Sequence, residues 1–168
     1  HDDGAKRVLG VDIPAGLGAR DLDRVLEIVV AHPSTAKHVA EKLCRRFIAD
    51  EPPAAAVAAT AAAFAQSGGD VKATLRALFA TEDFWQREVR GGKFKRPFHF
   101  VVSALRATNA ETDAAKPVVD YLVRMGHAPF RYATPDGYPE TATHWQSSLL
   151  WRWNFASSLA SNGIKGTS

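Results

Sequence analysis

Apolar residues recur along most of the chain at intervals of three or four positions, the spacing that places them on one face of an α-helix. Residues suited to helix starts precede several of these stretches, with Ser34 and Asp70 as side-chain caps and Pro97 as a first-turn proline. The pair Gly68-Gly69 separates two others. The pattern predicts helices over residues 22–29, 34–48, 52–67, 70–79, 81–85, 97–105, 113–125 and 143–160.

The start of the chain has a different pattern. Residues 5–19 carry two short apolar runs, one on each side of Gly10, which suit a short extended pair or hairpin before the first helix. We therefore predict an all-α fold, a single irregular bundle of about seven helices that covers residues 1–168 as one domain. Residues 1–19 are its irregular lead-in, and the small, polar residues 161–168 are a flexible tail.

A long turn-rich segment over residues 126–145 precedes the last predicted helix. It contains prolines and glycines together with several large aromatic side chains, among them Tyr138 and Trp145. Each such side chain gains stability when it leaves water, so a solvated linker is not expected to carry them. We predict an ordered, aromatic-rich loop that packs against the body of the protein.

The last predicted helix is apolar on more than one face. A helix with that pattern is typical of the centre of a bundle, so we expect it to be buried. The two apolar stripes are Leu149, Trp153 and Ala156, and Trp151, Phe155 and Leu159.

The composition is that of a globular protein. Of 168 residues, 46% are hydrophobic and 23% charged, which suffices for one domain with a substantial core. The net charge of +3 is mild and does not favour a nucleic-acid binder, and no apolar run is long enough for a transmembrane helix. The single cysteine, Cys44, excludes an intrachain disulfide and lies in an apolar stripe, so we expect it to be buried.

Short characteristic strings stand in order across nearly the whole chain. They include HDDGAK from residue 1, HPSTA from residue 32, KFKRPF from residue 93, PDGYP from residue 135 and RWNFA from residue 152. Each string alone is a weak signal. In this order they resemble a large bacterial family, the one catalogued as domain of unknown function 1800.

The resemblance implies a helical fold, export from the cytoplasm and no established activity. Members of the family are typically longer, so the chain resembles their C-terminal portion, and an N-terminal helical part of the same protein is an expected partner. A neighbouring exported protein is a second expected partner. The implied location is periplasmic or secreted. The resemblance supplies no catalytic residues, and we expect no cofactor.

Lys95 and Arg96 stand just before the predicted helix that begins at Pro97. Free backbone N–H groups at a helix start, together with two cationic side chains, are suited to bind a carboxylate, sulfate or phosphate group. The alternative is structural. In that interpretation the two cations pair with acidic side chains and brace the loop against the helix.

The aromatic loop is the second candidate site. Tyr138 and Trp145, with Tyr132, His144 and Trp151, are predicted to wall a cleft that has Asp136 and Arg152 at its mouth. Aromatic platforms beside a carboxylate and a guanidinium suit a sugar ring or a partner's hydrophobic side chain. In the structural alternative, Asp136 bonds its own turn and Arg152 pairs with Asp120, Asp136 or Glu140 to lock the loop to the helix.

Metal binding has weak support. The histidines are dispersed and lack the spacing of a zinc motif. His1, Asp2 and Asp3 together offer imidazole and oxygen ligands for a divalent cation, but a solvated chain end is the simpler interpretation.

Three functional hypotheses follow from these patterns. The first is a non-catalytic accessory domain that binds a glycan or a partner protein through Lys95, Arg96, Asp136, Tyr138, Trp145 and Arg152. The second is the C-terminal part of a hydrolase acting on extracellular polymers, whose site the missing N-terminal region completes. The third is a purely structural scaffold.

Overall fold

The computed structural model describes residues 2–113 and 116–168. The protein is mostly helical, as the periodicity predicts, and its sheet contains two short strands. The single domain stays a prediction, and the backbone forms two compact units. The first unit ends at Gly92 and the second begins at Lys93.

The first unit opens with the predicted hairpin. Strands β1 (Lys6–Val8) and β2 (Val11–Ile13) pair in antiparallel fashion. The two residues of the turn, Leu9 and Gly10, have φ angles of 49° and 83°. Two consecutive positive φ angles are typical of a tight hairpin turn, and glycine adopts this conformation without a steric penalty.

Local sequence signals explain the helix starts of the first unit. The Asp70 carboxylate accepts a hydrogen bond from the Ala73 N–H at 2.9 Å and caps its helix, as predicted. Ser34 is not the cap of its helix, because that helix begins one residue earlier at Pro33 and the His32 ring accepts from the Ser34 N–H. The helices are α1 (Arg20–Ala31), α2 (Pro33–Phe47), α3 (Ala54–Gln66), α4 (Val71–Ala80) and α5 (Glu82–Trp85), followed by a 3₁₀ turn at Arg87–Val89.

The core of the first unit contains small side chains that allow helices to approach closely. Cys44, Ala56 and Leu78 are buried there, and the Cys44 Sγ lies 3.5 Å from the Thr60 Oγ1. Burial raises the pKa of the Cys44 thiol, so Cys44 acts as a small apolar residue. The expectation of a buried cysteine is confirmed.

Helix α1 has the predicted apolar periodicity, but its apolar side faces solvent. Leu22 and Leu26 are 62% and 53% exposed, and the buried residue of this helix is Asp21. The Asp21 carboxylate lies 2.8 Å from the Lys6 Nζ, and this hydrogen bond is the main cause of the raised pKa of Lys6. An ion pair therefore joins α1 to the hairpin.

The second unit is built around Phe155, which is fully buried. Val101, Leu122 and Ile164 pack in the same core, and the rings of Phe100 and Tyr121 meet Phe155 edge-on. The helices are α6 (Pro97–Ala107), α7 (Lys116–Arg124), α8 (Ala142–Trp145) and α9 (Leu149–Ala160), with a 3₁₀ turn at Gln146–Ser148 before α9. Within the described residues, no helix is both long and apolar enough to cross a membrane.

The helix predicted over residues 143–160 is interrupted. The Ser148 hydroxyl donates to the Trp145 carbonyl at 2.8 Å, the carbonyl that a continuous helix would bond to the Leu149 N–H. The chain therefore forms a short helix, a 3₁₀ turn and then α9. This side-chain bond to the backbone is not visible in the apolar periodicity.

The segment 161–168, which the sequence predicts to be mobile, is packed and hydrogen-bonded in the structure. Ile164 is 3% exposed and lies in the core of the second unit. The Glu111 N–H donates to the Ser168 carbonyl and the Ser168 N–H donates to the Glu111 carbonyl, at 2.8 and 3.0 Å. The chain end is thus paired with the loop that precedes α7.

Candidate functional site

The aromatic residues of the 126–145 loop pack around the ring of His127. Trp145 stacks on that ring with centroids 4.7 Å apart, and Tyr138 meets it at 4.4 Å. Phe98, from the first turn of α6, contacts the same ring at 6.2 Å. These four side chains are referred to below as the His127 cluster. Only 2% of Trp145 is exposed, so its indole is part of the interior.

Hydrogen bonds fix the cluster in place. The Tyr138 hydroxyl donates to the Ala128 carbonyl at 2.7 Å, and the Trp145 Nε1–H donates to the Pro139 carbonyl at 2.9 Å. Both polar tips of these aromatic residues are therefore used to close the loop on itself. The sequence predicts that Tyr138 and Trp145 lie together, and the structure places their ring centroids 5.9 Å apart.

His127 also caps the start of α6. The Phe98 N–H donates to the His127 Nδ1 at 3.2 Å, which assigns the proton of the neutral ring to Nε2. Burial is the main cause that lowers the pKa of His127 to about 4, and the positive charges of Arg96, His99 and Arg152 lower it further. The imidazole is therefore neutral at physiological pH. This role follows from the fold, because the sequence alone shows only a dispersed set of histidines.

Arg152 is the second buried polar residue near the cluster. Its side chain is on α9, and its Nε donates to the Ser148 Oγ at 3.0 Å. The guanidinium carbon lies 4.6 Å from the ring centroid of Phe94 and 5.2 Å from that of Phe100. Burial lowers the pKa of Arg152.

The acidic partners predicted for Arg152 are engaged elsewhere. Asp120 pairs with Lys116 at 2.6 Å, and the Glu140 carboxylate lies 3.9 Å from the Arg96 guanidinium. Arg152 rests instead on two aromatic rings, a favourable contact for a guanidinium. The pairing expected for Arg152 is thus replaced by cation–π contacts.

The two cations before α6 point to different partners. Arg96, which is mostly buried, faces Glu140, and this contact braces the loop against the helix start. The Lys95 Nζ donates to the Ser103 Oγ at 2.7 Å on the exposed side of α6. At the same helix start, the Phe98 N–H donates to the His127 ring. The contact of Arg96 with Glu140 is of the kind expected in the structural interpretation, in which a cation pairs with an acidic side chain and braces the loop.

Asp136 lies in an exposed turn. Its carboxylate accepts a hydrogen bond from the Thr134 hydroxyl, and the Gly137 N–H approaches the Thr134 carbonyl at 3.4 Å. Gly137 has a φ of 78°, as such turns require. The geometry is that of an aspartate that organises its own turn.

Helix α9 carries an exposed apolar groove. Trp153 is 75% exposed, and Leu149 and Leu150 beside it are also open to solvent. The expectation that α9 is buried on all sides is wrong, because the Phe155 stripe faces the core and the Trp153 stripe does not. A cavity of about 260 Å³, called the α9 groove below, is lined by Phe100, Leu149, Arg152, Trp153 and Ala156.

Of the three residues proposed for a metal site at the chain start, the structure describes Asp2 and Asp3. His1 lies outside the described residues. The Asp2 carboxylate is 3.7 Å from the Lys6 Nζ, and the Asp3 carbonyl accepts from the Gly16 N–H. Among the described residues, no group of three or more histidine, cysteine, aspartate or glutamate side chains is placed to hold a metal ion.

The match to a family model agrees with the sequence strings. Residues 1–167 match the family described as protein of unknown function (DUF1800). The chain belongs to the DUF1800 family. No curated protein and no solved structure matches the chain. The family membership therefore covers essentially the whole chain without assigning an activity to any residue.

Proposed function

We propose that this DUF1800 chain is a non-catalytic accessory domain that binds a partner protein through the α9 groove. The observation that carries the proposal is the exposed apolar stripe of α9. Leu149 and Trp153 are large apolar side chains on the same helix face, and both are exposed beside a cavity of about 260 Å³. Contiguous apolar surface of this kind is typical of interaction sites.

The chemistry of the groove favours a protein over a glycan. Four of its lining residues are apolar, and Arg152 is the polar one. A sugar ring offers hydroxyl groups on its edges and needs several polar partners, whereas an apolar side chain of a protein needs a desolvated pocket. Trp153, as an exposed tryptophan, is the type of residue that dominates binding energy at protein interfaces.

The site differs in its residues from the one that the sequence predicts. Trp145 and Tyr138 are not among the residues that line the groove, and their polar tips are bonded within the 126–145 loop. Arg152 is common to both versions of the site. The partner is proposed to be another exported protein or a further part of the same protein, in a periplasmic or secreted location, as the family resemblance implies. The hydrolase and scaffold hypotheses stay predictions.

A peptide-display selection tests the proposal. Random peptides displayed on phage are selected on the wild-type protein and then measured against Trp153→Glu and Trp85→Glu. Trp85 is also an exposed tryptophan, in the first unit, and is the matched control. We expect enriched peptides to lose at least tenfold in affinity with Trp153→Glu, because a buried charge in the groove is costly, and to keep their affinity with Trp85→Glu.

Other outcomes would redirect the interpretation. Peptides that bind both variants equally would place the interaction surface away from the α9 groove. A panel of soluble oligosaccharides is measured in parallel by thermal shift, since a ligand that binds the native state raises the melting temperature. A glycan hit that is lost in Trp153→Glu, with no enriched peptide, would replace the partner protein by a glycan.

A further inference from the structure

The guanidinium of Arg152 has an unusual environment for a buried cation. The residue is 8% exposed, and its Nη2 has no hydrogen-bond partner among the described residues. Removal of a charged group from water is costly unless hydrogen bonds and an opposite charge compensate for it. The Nε bond to Ser148 satisfies one of the five N–H donors.

Among the described residues, no carboxylate forms an ion pair with Arg152. The Glu140 carboxylate lies 3.9 Å from the Arg96 guanidinium. Arg96 and Arg152 both act as positive charges on the neutral ring of His127. The region is thus electropositive, which favours an anionic group over a neutral or cationic one.

The helix geometry connects Arg152 to the groove. Arg152 follows Leu149 by three positions and precedes Ala156 by four, so these residues share one face of α9. All three line the α9 groove, with the exposed ring of Trp153 beside them. An apolar side chain of a partner that binds in the groove would therefore lie next to Arg152, the cationic residue of the lining.

We infer that the α9 groove recognises a segment of a partner protein that carries a carboxylate next to an apolar side chain, and that Arg152 binds the carboxylate. This inference rests on the proposed function of the groove. The carboxylate supplies the acceptor that Nη2 lacks, in a charge-assisted hydrogen bond. Because Nη2 is buried, the inference includes a movement of side chains that opens it to the groove on binding.

The form of the groove favours a protein segment over a free fatty acid. A long acyl chain needs an enclosed cavity that buries most of its surface. The α9 groove has a volume of about 260 Å³, and Leu149 and Trp153 of its lining are exposed. An apolar strip around a small pocket is the form of a site for an anchoring side chain from another protein.

The test compares two capped alanine-based helical peptides by NMR titration of the wild-type protein. One carries leucine and glutamate one helical turn apart, and the other has glutamine in place of glutamate. We expect the glutamate peptide to bind at least tenfold more tightly and to shift the Trp153 indole resonance. The preference should disappear in Arg152→Met and persist in Arg124→Met, which removes an exposed arginine of the same unit.

Each alternative result has a distinct meaning. Equal binding of the two peptides, with a shift of the Trp153 resonance, would overturn the role of Arg152 and leave the groove as a binding site. Absence of binding by either peptide at millimolar concentration would overturn the inference, while the display selection decides on the groove itself. Octanoate is measured beside octanamide, and a preference for octanoate without peptide binding would replace the protein segment by a lipid. If Arg152→Met fails to fold, the affinities of the glutamate and glutamine peptides for the wild-type protein still measure the preference for a carboxylate.

Discussion

His127 links the protonation state of one side chain to the start of a helix. Its Nδ1 accepts the Phe98 N–H, and its ring stacks on the buried Trp145. A proton on Nδ1 would remove this acceptor and add a cation close to Arg96 and Arg152. The native state therefore requires the neutral imidazole, and acid pH should act against it.

We predict that the free energy of unfolding falls as the pH is lowered from about 6.5 to about 4. An unfolded histidine titrates near 6.5, whereas the pKa of His127 is lowered to about 4 by burial and by nearby cations. Between these values the unfolded state binds the proton and the native state does not. The stabilisation is thus complete above pH 6.5 and decreases by on the order of 3 kcal/mol towards pH 4.

Urea unfolding followed by tryptophan fluorescence at several pH values measures this effect. His127→Gln should unfold more easily at pH 7 and should show a smaller loss of stability on acidification. His38→Gln, which removes an exposed histidine of α2, is the control and should keep the wild-type dependence. An unchanged pH dependence in His127→Gln would show that other groups cause the acid effect.

At the scale of single elements, sequence patterns predict helix starts better than helix surroundings. Asp70 and Pro97 specify the starts of α4 and α6 through local chemistry, a side-chain bond and a fixed φ angle. The apolar faces of α1 and α9 were also predictable, but their exposure was not. Periodicity shows that a face is apolar, whereas the element that covers it is set by tertiary contacts.

Tertiary contacts also decide which parts of the candidate site can be predicted from the sequence. The sequence brings Tyr138 and Trp145 together correctly, because aromatic residues in one short loop pack with each other. It gives no signal that Trp145 stacks on His127 from inside, or that Trp153 stays exposed. Both facts depend on which side chains are covered by tertiary contacts, and no local pattern encodes that choice.

The chain end provides the next prediction, at the scale of the 161–168 segment. Ile164 is buried in the core of the second unit, whereas its neighbour Lys165 is exposed. Ile164→Ala should lower the free energy of unfolding by about 3 kcal/mol, since it removes buried methyl groups and leaves a cavity. Lys165→Ala is the matched control, with an expected change within about 0.5 kcal/mol. Urea unfolding of both variants measures the difference.

Similar stabilities for the two variants would contradict the packed chain end and favour the mobile tail that the sequence predicts. The position of Gly166 gives independent support for the packed form. Its φ is 77°, and its carbonyl accepts the Asp113 N–H at 3.2 Å. A β-carbon at this position would approach the Asp113 carboxylate oxygens to 2.8 Å, and the positive φ would strain any other residue, so both features favour glycine.

At the scale of the whole molecule, the described residues form a buried apolar core in each of the two units. The core of the first unit includes Cys44 and Leu78, and that of the second includes Val101 and Phe155. The boundary between the units falls after Gly92. Each core is formed by side chains from its own unit, so the local stability of each unit is expected to exceed that of the boundary segment.

Limited trypsin digestion tests this organisation. Arg87 and Arg90 are exposed next to the boundary, in a segment whose regular structure is one 3₁₀ turn. Proteases cut where the backbone opens at low free-energy cost, so the earliest cuts should follow these two arginines and yield two fragments that resist further digestion. Mass spectrometry of the first products identifies the cut positions. Replacement of both arginines by glutamine should slow the first cut. First cuts after Arg45 or Arg106, which lie inside helices, would show that the two units are not separately stable.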